Sequence, residues 1–236
     1  MVHFNNNSTL GGTYAWTFSG GTPATSAVYT PPAITFNTPG NNPVYITVTV
    51  GGCVKKDTTF ISIAPLPTPA FTLSPAAGCS PVTTTITNTS GVTAGDTYTW
   101  HFYNGGSSTA FTPPAQTYTT TGVDSVYSIE LVISAANGCS DSVIHTVTVH
   151  ANPVAAYTPS QDTVCANTSV TFSNTSAGGS TYQWAFGDAG TSTAASPAHT
   201  YVNPGNYTSQ LIVSTTFACK DTATALIVVD SIPVAA

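Results

Sequence analysis

Charge is the property that this sequence has least of. Only 5% of its 236 residues are charged, the sole lysines are Lys55, Lys56 and Lys220, and arginine does not occur. Proteins that bind nucleic acids use lysine and arginine to neutralise phosphates and release counterions. Three lysines cannot form such a surface, and attraction to anionic membranes fails for the same reason. We therefore expect no nucleic-acid partner.

Long apolar runs and helical patterns are also lacking. No apolar stretch reaches the length of a transmembrane helix, so we expect no membrane insertion in this segment. No segment repeats its apolar residues with the period of an amphipathic helix. Hydrophobic residues still make up 41% of the chain, which is enough for packed cores. Thr, Ser, Asn and Gly must then cover the surface, which is typical of secreted β proteins.

An internal repeat is the strongest feature that is present. The motif Thr-Tyr-x-Trp-x-Phe occurs at Thr13–Phe18, Thr97–Phe102 and Thr181–Phe186, and its tryptophans are spaced by 84 residues. A second motif, Pro-Ala-x-Thr-aromatic, recurs in the same register. Two motifs in one register indicate a tandem array of similar units.

Each unit is predicted to be a β-sandwich. Alternate residues of a strand point to one face, so the aromatic residues of the first motif should enter one core per unit. These predicted core residues are Tyr14, Trp16, Phe18, Tyr98, Trp100, Phe102, Tyr182, Trp184 and Phe186. Other alternating runs, such as Val44–Val50, are separated by Gly, Pro, Asn and Ser. The pattern predicts an all-β fold of tandem immunoglobulin-like sandwiches, and short Pro-containing junctions predict an extended rod.

The third unit carries a family resemblance. It reads Tyr-Gln-Trp-Ala-Phe-Gly-Asp-Ala-Gly over residues 182–190, Pro-Ala-His-Thr-Tyr over 197–201, and Pro-Gly-Asn-Tyr over 204–207. This resembles the PKD domain, an immunoglobulin-like sandwich with a Trp-Asp-Phe-Gly-Asp-Gly motif and a downstream Pro-x-His-x-Tyr. The first two units depart from the Phe-Gly-Asp turn. The resemblance implies extracellular spacer or ligand-binding modules and does not imply catalysis.

The repeat also predicts where the units begin and end. We expect modules at 1–66, 67–152 and 153–230, and the first strand of a following module at 231–236. The first module should lack its first strand, because Val2–Ser8 aligns with Val170–Ser176, the second strand of the third module. Two interpretations stay open: a piece of a longer array, or donor-strand exchange, in which the last strand of one subunit completes the first module of the next.

The five cysteines occupy two repeat positions. Cys53, Cys139 and Cys219 precede the last strand of a unit, and Cys79 and Cys165 precede the second strand. We expect bridges within modules, Cys79–Cys139 and Cys165–Cys219, with Cys53 unpaired. The alternative links neighbouring modules through Cys53–Cys79 and Cys139–Cys165. Either scheme requires an oxidising compartment.

Catalytic and metal-binding signals are weak. The five histidines do not recur at equivalent repeat positions, and Glu130 is the only glutamate. A catalytic group needs an oriented partner, and no such pattern is visible, so we predict that the protein is not an enzyme. Asp188 is a weak candidate for a Ca²⁺ site, but a hard cation needs several oxygen ligands and a turn-capping role is favoured. We expect no cofactor.

Six of the aspartates precede Ser or Thr and then a small or aliphatic residue. This pattern resembles the O-glycosylation motif of secreted Bacteroidetes proteins, and glycans there would hydrate a weakly charged surface. Alternatively, the pattern marks turns that enter strands. The candidate acceptors are Thr58, Ser125, Ser142, Thr163, Thr222 and Ser231.

The combined prediction is a structural or adhesive extracellular repeat segment that forms a stiff stalk or fibre, from a Bacteroidetes-type surface adhesin or gliding-type protein. Its partners would be neighbouring modules, surface glycans or other cells. One alternative is a filament subunit assembled by donor-strand exchange. Another is a carbohydrate-binding accessory module of a secreted enzyme, for which Tyr103 and Phe111 are the aromatic candidates.

Overall fold

A computed structural model describes residues 1–8, 10–91 and 93–233 of the chain. These residues form β-strands and no helix, which confirms the predicted all-β class. Consequently no helix in the described part of the chain is long and apolar enough to cross a membrane.

The strands follow the sequence repeats, which we number 1 (residues 1–66), 2 (67–152) and 3 (153–230). Repeat 1 contains β1 (Thr13–Phe18), β2 (Gly21–Thr22), β3 (Thr25–Ser26), β4 (Thr35–Phe36), β5 (Gly40–Val50) and β6 (Cys53–Ile63). Repeat 2 contains β7 (Phe71–Ser74), β8 (Ala77–Cys79), β9 (Val82–Asn88), β10 (Thr97–Phe102), β11 (Gly106–Ser108), β12 (Gln116–Tyr118), β13 (Ser125–Ser134) and β14 (Ser140–His150). Repeat 3 contains β15 (Tyr157–Pro159), β16 (Thr163–Cys165), β17 (Ser169–Asn174), β18 (Thr181–Ala185), β19 (Thr191–Ser192), β20 (Ala198–Thr200), β21 (Gly205–Ser214) and β22 (Lys220–Asp230).

Repeats 2 and 3 have the same two-sheet topology. In repeat 3 a three-stranded sheet of order β15-β17-β20 accompanies a five-stranded sheet of order β16-β22-β21-β18-β19. In repeat 2 the corresponding orders are β7-β9-β12 and β8-β14-β13-β10-β11. Most pairs are antiparallel, but β8 runs parallel to β14 and β16 runs parallel to β22. Repeat 1 has a sheet of order β3-β1-β5-β6 and a β2-β4 pair.

The chain divides into two compact units. One consists of Met1–Thr68, Gly91–Thr97 and Ile133–Asp141, and the other of Pro69–Ser90, Tyr98–Val132 and Ser142–Ala236. This division groups two segments of repeat 2 with repeat 1. The three-module boundaries at 1–66, 67–152 and 153–230 therefore stay a prediction.

The repeated aromatic motif forms the same central strand in each repeat, β1, β10 and β18. Its Trp and Phe residues are buried and its Tyr residues are half-buried, as alternation along a strand requires. Each indole Nε1 donates to a backbone carbonyl 10 or 12 residues later. The pairs are Trp16 with Val28, Trp100 with Ala110 and Trp184 with Ala194, at 3.1, 2.9 and 2.9 Å. The motif thus supplies the aromatic rings of the core and a hydrogen bond that holds the following loop against the central strand.

Two buried tyrosines allow a matched test of hydroxyl pairing. Tyr201 and Tyr118 occupy the same repeat position and are almost fully buried. The Tyr201 hydroxyl donates to the Phe186 carbonyl at 3.1 Å, whereas the Tyr118 hydroxyl has no partner among the described residues. We expect Tyr201→Phe to lower the free energy of unfolding of its repeat by about 1 kcal/mol and Tyr118→Phe to be neutral or stabilising. Hydrogen exchange of peptides from each repeat measures both changes in the free energy of unfolding. Equal losses in the two variants would contradict the claim that only the Tyr201 hydroxyl has a hydrogen-bond partner.

The same two tyrosines predict sensitivity to alkali. Burial raises the pKa of Tyr118 to about 12, and burial together with the nearby Asp188 raises the pKa of Tyr201 to about 12. An unfolded tyrosine ionises near pH 10, so folding favours the protonated form of both rings. Their contribution is fully present below pH 10 and is lost as the pH rises from about 10 to 12. We expect unfolding in that window by circular dichroism, shifted upward in the double variant Tyr118→Phe/Tyr201→Phe.

Candidate functional site

The residues that join repeats 2 and 3 form the most elaborate site in the described chain, and we call them the junction. Its centre is a disulfide between Cys79 of repeat 2 and Cys219 of repeat 3, with 5.4 Å between the two Cα atoms. That separation lies within the normal range for disulfides. Cys219 is only 1% exposed, so the bridge is shielded from water on that side.

Both predicted disulfide schemes are wrong. Cys139 and Cys165, which were expected to pair with Cys79 and Cys219, are free, and so is Cys53, the cysteine expected to be unpaired. Repeat 3 shows the physical reason. Cys165 lies opposite Asp230, the last residue of β22, whereas Cys219 directly precedes Lys220, the first residue of that strand. Eleven residues of extended strand span about 35 Å, which is several times the reach of a disulfide.

Parallel pairing of β8 and β16 therefore decides which cysteines meet. In repeats 2 and 3 the parallel strand places its cysteine at one end of the sandwich, and the hairpin before the last strand places the other cysteine at the opposite end. The hairpin of repeat 3, formed by Thr215–Cys219, closes with a hydrogen bond from the Thr215 N–H to the Cys219 carbonyl at 2.9 Å. Ala218, just before the cysteine, has a positive φ of 64° that turns the chain.

An aromatic stack lies beside the disulfide. The ring of Phe217, at the tip of the repeat 3 hairpin, stacks on the imidazole of His150 with 3.6 Å between centroids and 13° between planes. His150 Nδ1 is 2.7 Å from a carboxylate oxygen of Asp124. The hydrogen bond from His150, followed by that from the Ala151 N–H, lowers the pKa of Asp124 below its usual value. Asp124 thereby orients the ring on which the neighbouring repeat rests.

The connecting segment between the repeats is anchored on both sides. The Ala151 N–H donates to Asp124 at 2.8 Å, and the Asn152 side-chain amide donates to the Ser80 carbonyl at 2.6 Å. On the other side, the Ala155 N–H donates to Asp221 at 2.8 Å. A cavity of about 200 Å³ is lined by Asp124, Ala151, Asn152 and the hairpin residues Thr215–Phe217. The disulfide, the ring stack and these hydrogen bonds together restrain movement at the junction.

Asp188, the weak calcium candidate, has other partners. One of its carboxylate oxygens accepts the Gly190 N–H at 2.9 Å and the other lies 2.7 Å from His199 Nε2. Burial raises the pKa of Asp188, but the hydrogen bonds from His199 and Gly190 outweigh burial and leave that pKa below its usual value. No group of three or more His, Cys, Asp or Glu residues in the described ranges could hold a metal ion. Asp188 thus caps the turn of the Phe-Gly-Asp motif.

The Phe-Gly-Asp motif of repeat 3 has a structural role. Gly187 has a φ of +91°, and a Cβ there would lie 2.9 Å from the backbone nitrogen and oxygen of Thr208. No other residue fits such a close approach. The His199 ring stacks on Phe186 with 4.2 Å between centroids, and Tyr201 binds the Phe186 carbonyl. The motif and its downstream His and Tyr therefore hold one turn of the sandwich.

The two aromatic candidates for carbohydrate contact lie on the surface. Tyr103 is 60% exposed and its hydroxyl donates to Glu130 at 3.3 Å. Phe111 is 41% exposed and packs edge-on against Tyr98. They do not share a pocket: Tyr103 and Glu130 line an open depression that Phe111 does not reach.

The predicted glycosylation acceptors are mostly accessible. Five of the six side chains are exposed, and Ser125 is half-buried with its hydroxyl 2.9 Å from that of Thr120. Glycosylation of Thr58, Ser125, Ser142, Thr163, Thr222 and Ser231 stays a prediction.

Comparisons with known proteins point to one domain family. A family model described as the PKD domain matches residues 150–229. The chain is similar to the PKD1 domain of the metalloprotease PrtV from Vibrio cholerae, with 34% identity over 34% of this chain and 98% of that domain and a TM-score of 0.30. It is also similar to the PKD1 domain of Epp from Vibrio anguillarum, with 28% identity over 34% of this chain and 96% of that domain and a TM-score of 0.31.

A longer match extends over the other repeats. A structure of a 1.5-MDa bacterial ice-binding adhesin covers 94% of this chain and 87% of its own, with 14% identity and a TM-score of 0.32. The comparison with curated proteins finds no match.

Proposed function

Because the chain belongs to the PKD domain family through its third repeat, we propose that it is a non-catalytic segment of a stiff stalk or fibre at the cell surface. The observation that supports this best is the Cys79–Cys219 bridge, which joins one repeat covalently to the next. Its physical effect is to fix their mutual orientation and to limit how far the chain extends under tension.

The bridge creates a short route for tension. Force that enters repeat 2 at β7 reaches Cys79 after a few residues, crosses the disulfide to Cys219 and leaves along β22. The 139 residues between the two cysteines, which include most of both cores, lie outside this route. A stalk that is pulled at its ends then keeps these residues from being drawn out. This property suits a spacer that holds a binding module away from a cell.

The wider assignment extends this proposal to the whole parent protein. We place the segment in a large extracellular adhesin or gliding-type protein of the Bacteroidetes kind, with neighbouring modules as its first partners and surface glycans or other cells as partners of the complete fibre. Low charge, a hydroxyl-rich surface and an oxidised bridge support an extracellular location. Antibodies raised against the chain should label intact cells of the source organism without permeabilisation.

Stiffness of the junction is directly measurable. Two fluorophores attached through non-natural amino acids at Thr85 of repeat 2 and Thr224 of repeat 3, both exposed, report the distance between the repeats in single molecules. We expect a narrow distance distribution in the oxidised chain and a clearly broader one after reduction. The variant Cys139→Ser, which leaves the bridge intact, is the matched control. Equal widths before and after reduction would overturn the proposed role.

A second candidate function, assembly by strand addition, is favoured by a groove in repeat 1. The groove measures about 340 Å³ and is lined by Phe4–Ser8, Trp16, Val44, Ile46 and Asp57–Thr59. In repeats 2 and 3 the first strand puts Phe71 against Trp100 and Tyr157 against Trp184, edge to face at 5.1 and 4.9 Å. No described residue of repeat 1 plays that part for Trp16.

Burial supports the same interpretation. Phe4 aligns with Phe172, which is fully buried, yet Phe4 itself is only half-buried. Val2–Ser8 makes one isolated bridge, from Val2 to Ile34, where the aligned residues of repeat 3 form β17 and pair with β15. We propose that an extended strand with an aromatic side chain fills this groove. The donor first predicted, residues 231–236, lies partly outside the described residues.

A peptide tests the groove in the complete chain. The peptide Pro-Val-Ala-Ala-Tyr-Thr-Pro, which copies residues 153–159, should bind and protect Val2–Ser8 from hydrogen exchange. The same peptide with Ala in place of Tyr is the control and should bind at least about tenfold more weakly, since it lacks the ring that packs on the tryptophan. Equal binding of both peptides, or none, would contradict strand addition.

Glycans on the exposed hydroxyls form a further part of the proposal. Sugars at the six predicted acceptors would hydrate a surface that has few charges. Peptide mass mapping of material from the natural source should find hexose-containing masses at these Ser and Thr residues. Unmodified peptides at all six positions would contradict this part alone.

A further inference from the structure

The face of repeat 3 that carries Cys165 is built like the face of repeat 2 that carries Cys79. Cys79 lies opposite His150 in the parallel β8-β14 pair, and Cys165 lies opposite Asp230 in the parallel β16-β22 pair. The residue after each cysteine donates its N–H to the carbonyl of that partner, Ser80 to His150 at 2.9 Å and Ala166 to Asp230 at 2.8 Å. The first face is covered by a disulfide-bonded hairpin, whereas Cys165 on the second is exposed and free.

The hairpin that would match this face exists in repeat 1. Cys53 follows the turn Gly51–Gly52 and begins β6, as Cys219 follows its own turn and precedes β22. The residue before each cysteine has a positive φ, 87° at Gly52 and 64° at Ala218, so both turns present the cysteine in a similar way. Cys53 is exposed and free. Repeat 1 therefore offers the same half of the bridge that Cys219 supplies at the junction.

Charges distinguish this hairpin from that of repeat 2. The exposed carboxylates Asp162 and Asp230 flank Cys165, and the exposed Lys55 and Lys56 follow Cys53. Two of the three lysines in the chain thus lie beside this one cysteine. In repeat 2 the two residues after Cys139 are Ser140 and Asp141, so that hairpin lacks the positive charges that would complement Asp162 and Asp230. Complementary charge at the encounter favours the Cys53 hairpin.

We infer that the Cys165 face binds, and becomes disulfide-bonded to, the Cys53 hairpin of a further repeat, which a second copy of this chain supplies. The inference rests on the proposed stalk function and extends it. The same kind of disulfide that joins repeats 2 and 3 would then also join repeat 3 of one chain to repeat 1 of the next. Cys79–Cys219 is the template for the bond, and the hairpin takes the position that Thr215–Cys219 takes on repeat 2.

The bond forms by two thiol–disulfide exchanges with oxidised glutathione. The Cys165 thiolate attacks one sulfur of oxidised glutathione, which gives a mixed disulfide and releases one glutathione. The Cys53 thiolate of the second copy then attacks the Cys165 sulfur and releases the second glutathione. Two protein thiols are oxidised to one disulfide, and one molecule of oxidised glutathione is reduced to two thiols.

The experiment uses the complete chain with its Cys79–Cys219 bridge intact, incubated in a buffer of oxidised and reduced glutathione. We expect disulfide-linked oligomers on non-reducing gels. Peptide mapping should recover the Cys53–Cys165 pair in about tenfold excess over Cys53–Cys53, Cys165–Cys165 and pairs that contain Cys139, because docking raises the effective concentration of the matched thiols. The same digest reports whether Cys79–Cys219 persists in every variant.

Three variants separate docking from random oxidation. Cys165→Ser should abolish the oligomers, and Cys139→Ser should leave them unchanged. Lys55→Asp/Lys56→Asp should slow the Cys53–Cys165 bond severalfold, and adding Asp162→Lys/Asp230→Lys on the other partner should restore its rate. A statistical mixture of cysteine pairs, or monomers only, would overturn the inference. Such a result would leave the single-molecule stiffness of the existing junction untouched, so failure here differs from failure of the stalk function.

Discussion

Stretching the oxidised chain from its two ends should leave about 490 Å of contour length unextended, because the bridged cysteines are 140 positions apart in the sequence and each extended residue spans about 3.5 Å. The disulfide holds Cys79 and Cys219 together even after the sandwiches around them unfold. Only the residues outside this loop can then lengthen. Single-molecule force spectroscopy measures the total gain in length directly.

After reduction, or in the double variant Cys79→Ser/Cys219→Ser, the chain should extend by the full contour length that the disulfide holds back in the oxidised chain. The double variant is preferable to a single one because it leaves no junction thiol for new pairs. Cys53→Ser and Cys139→Ser are matched controls, since neither cysteine is bridged in this structure and both should extend like the natural chain. If the natural chain reaches the same final length before and after reduction, no disulfide joins repeat 2 to repeat 3.

Replacing Trp184 by Ala should lower the free energy of unfolding of repeat 3 by about 3–5 kcal/mol. The ring is 2% exposed and packs against Tyr157, Phe172 and Phe186. Its loss leaves a cavity among these rings, and it also removes the donor to the Ala194 carbonyl, which is held at 2.9 Å. Both effects act on the same core and destabilise it together.

Hydrogen exchange detected by mass spectrometry is the suitable measurement, because an array of repeats does not unfold in a single two-state step. Peptides from repeat 3 should lose protection, whereas peptides from repeat 1 should not. Gln183→Ala is the matched control: Gln183 is exposed on the same strand, and its replacement should change stability by less than about 0.5 kcal/mol. Similar losses in the two variants would show that the motif does not anchor the core.

The aromatic motif shows how far local pattern carries a prediction. Tyr, Trp and Phe at alternate positions can share a face only in an extended strand, so strand, face and buried rings followed from spacing alone. Phe-Gly-Asp-Ala-Gly in repeat 3 was identified by its resemblance to the PKD motif, and the structure gives the physical reason for its glycine, since Gly187 adopts a positive φ beside the backbone of Thr208. The turn-capping interpretation of Asp188 also rested on local chemistry.

The cysteines show what a local sequence pattern does not predict, namely which of them pair. Their two repeat positions were visible, but a sequence does not state whether β8 pairs parallel or antiparallel with β14. Parallel pairing places Cys79 beside His150, far along the strand from Cys139, and so excludes the bridge within the module. The partner of Cys79 then comes from the following repeat. The alternative scheme did place bridges between neighbouring repeats, but it paired Cys79 with Cys53 of the preceding repeat.

His150 and Phe217 escaped notice for a related reason. Neither residue recurs at its repeat position, and the 66 residues between them contain most of the strands of repeat 3. Their stacking follows from docking one repeat on another and leaves no spacing signal in the chain. Only their positions, at the end of β14 and at a hairpin tip, connect them once the fold is known.

The amino-acid sequence alone thus determined the all-β class, the repeat and the aromatic cores, because each depends on residue type and on spacing along a strand. Tertiary structure decided the disulfide partners, the ring stack at the junction and the groove of repeat 1. These features depend on which strand ends and hairpin tips lie close together in space. Those distances are set by the pairing of the strands, which the sequence pattern does not specify.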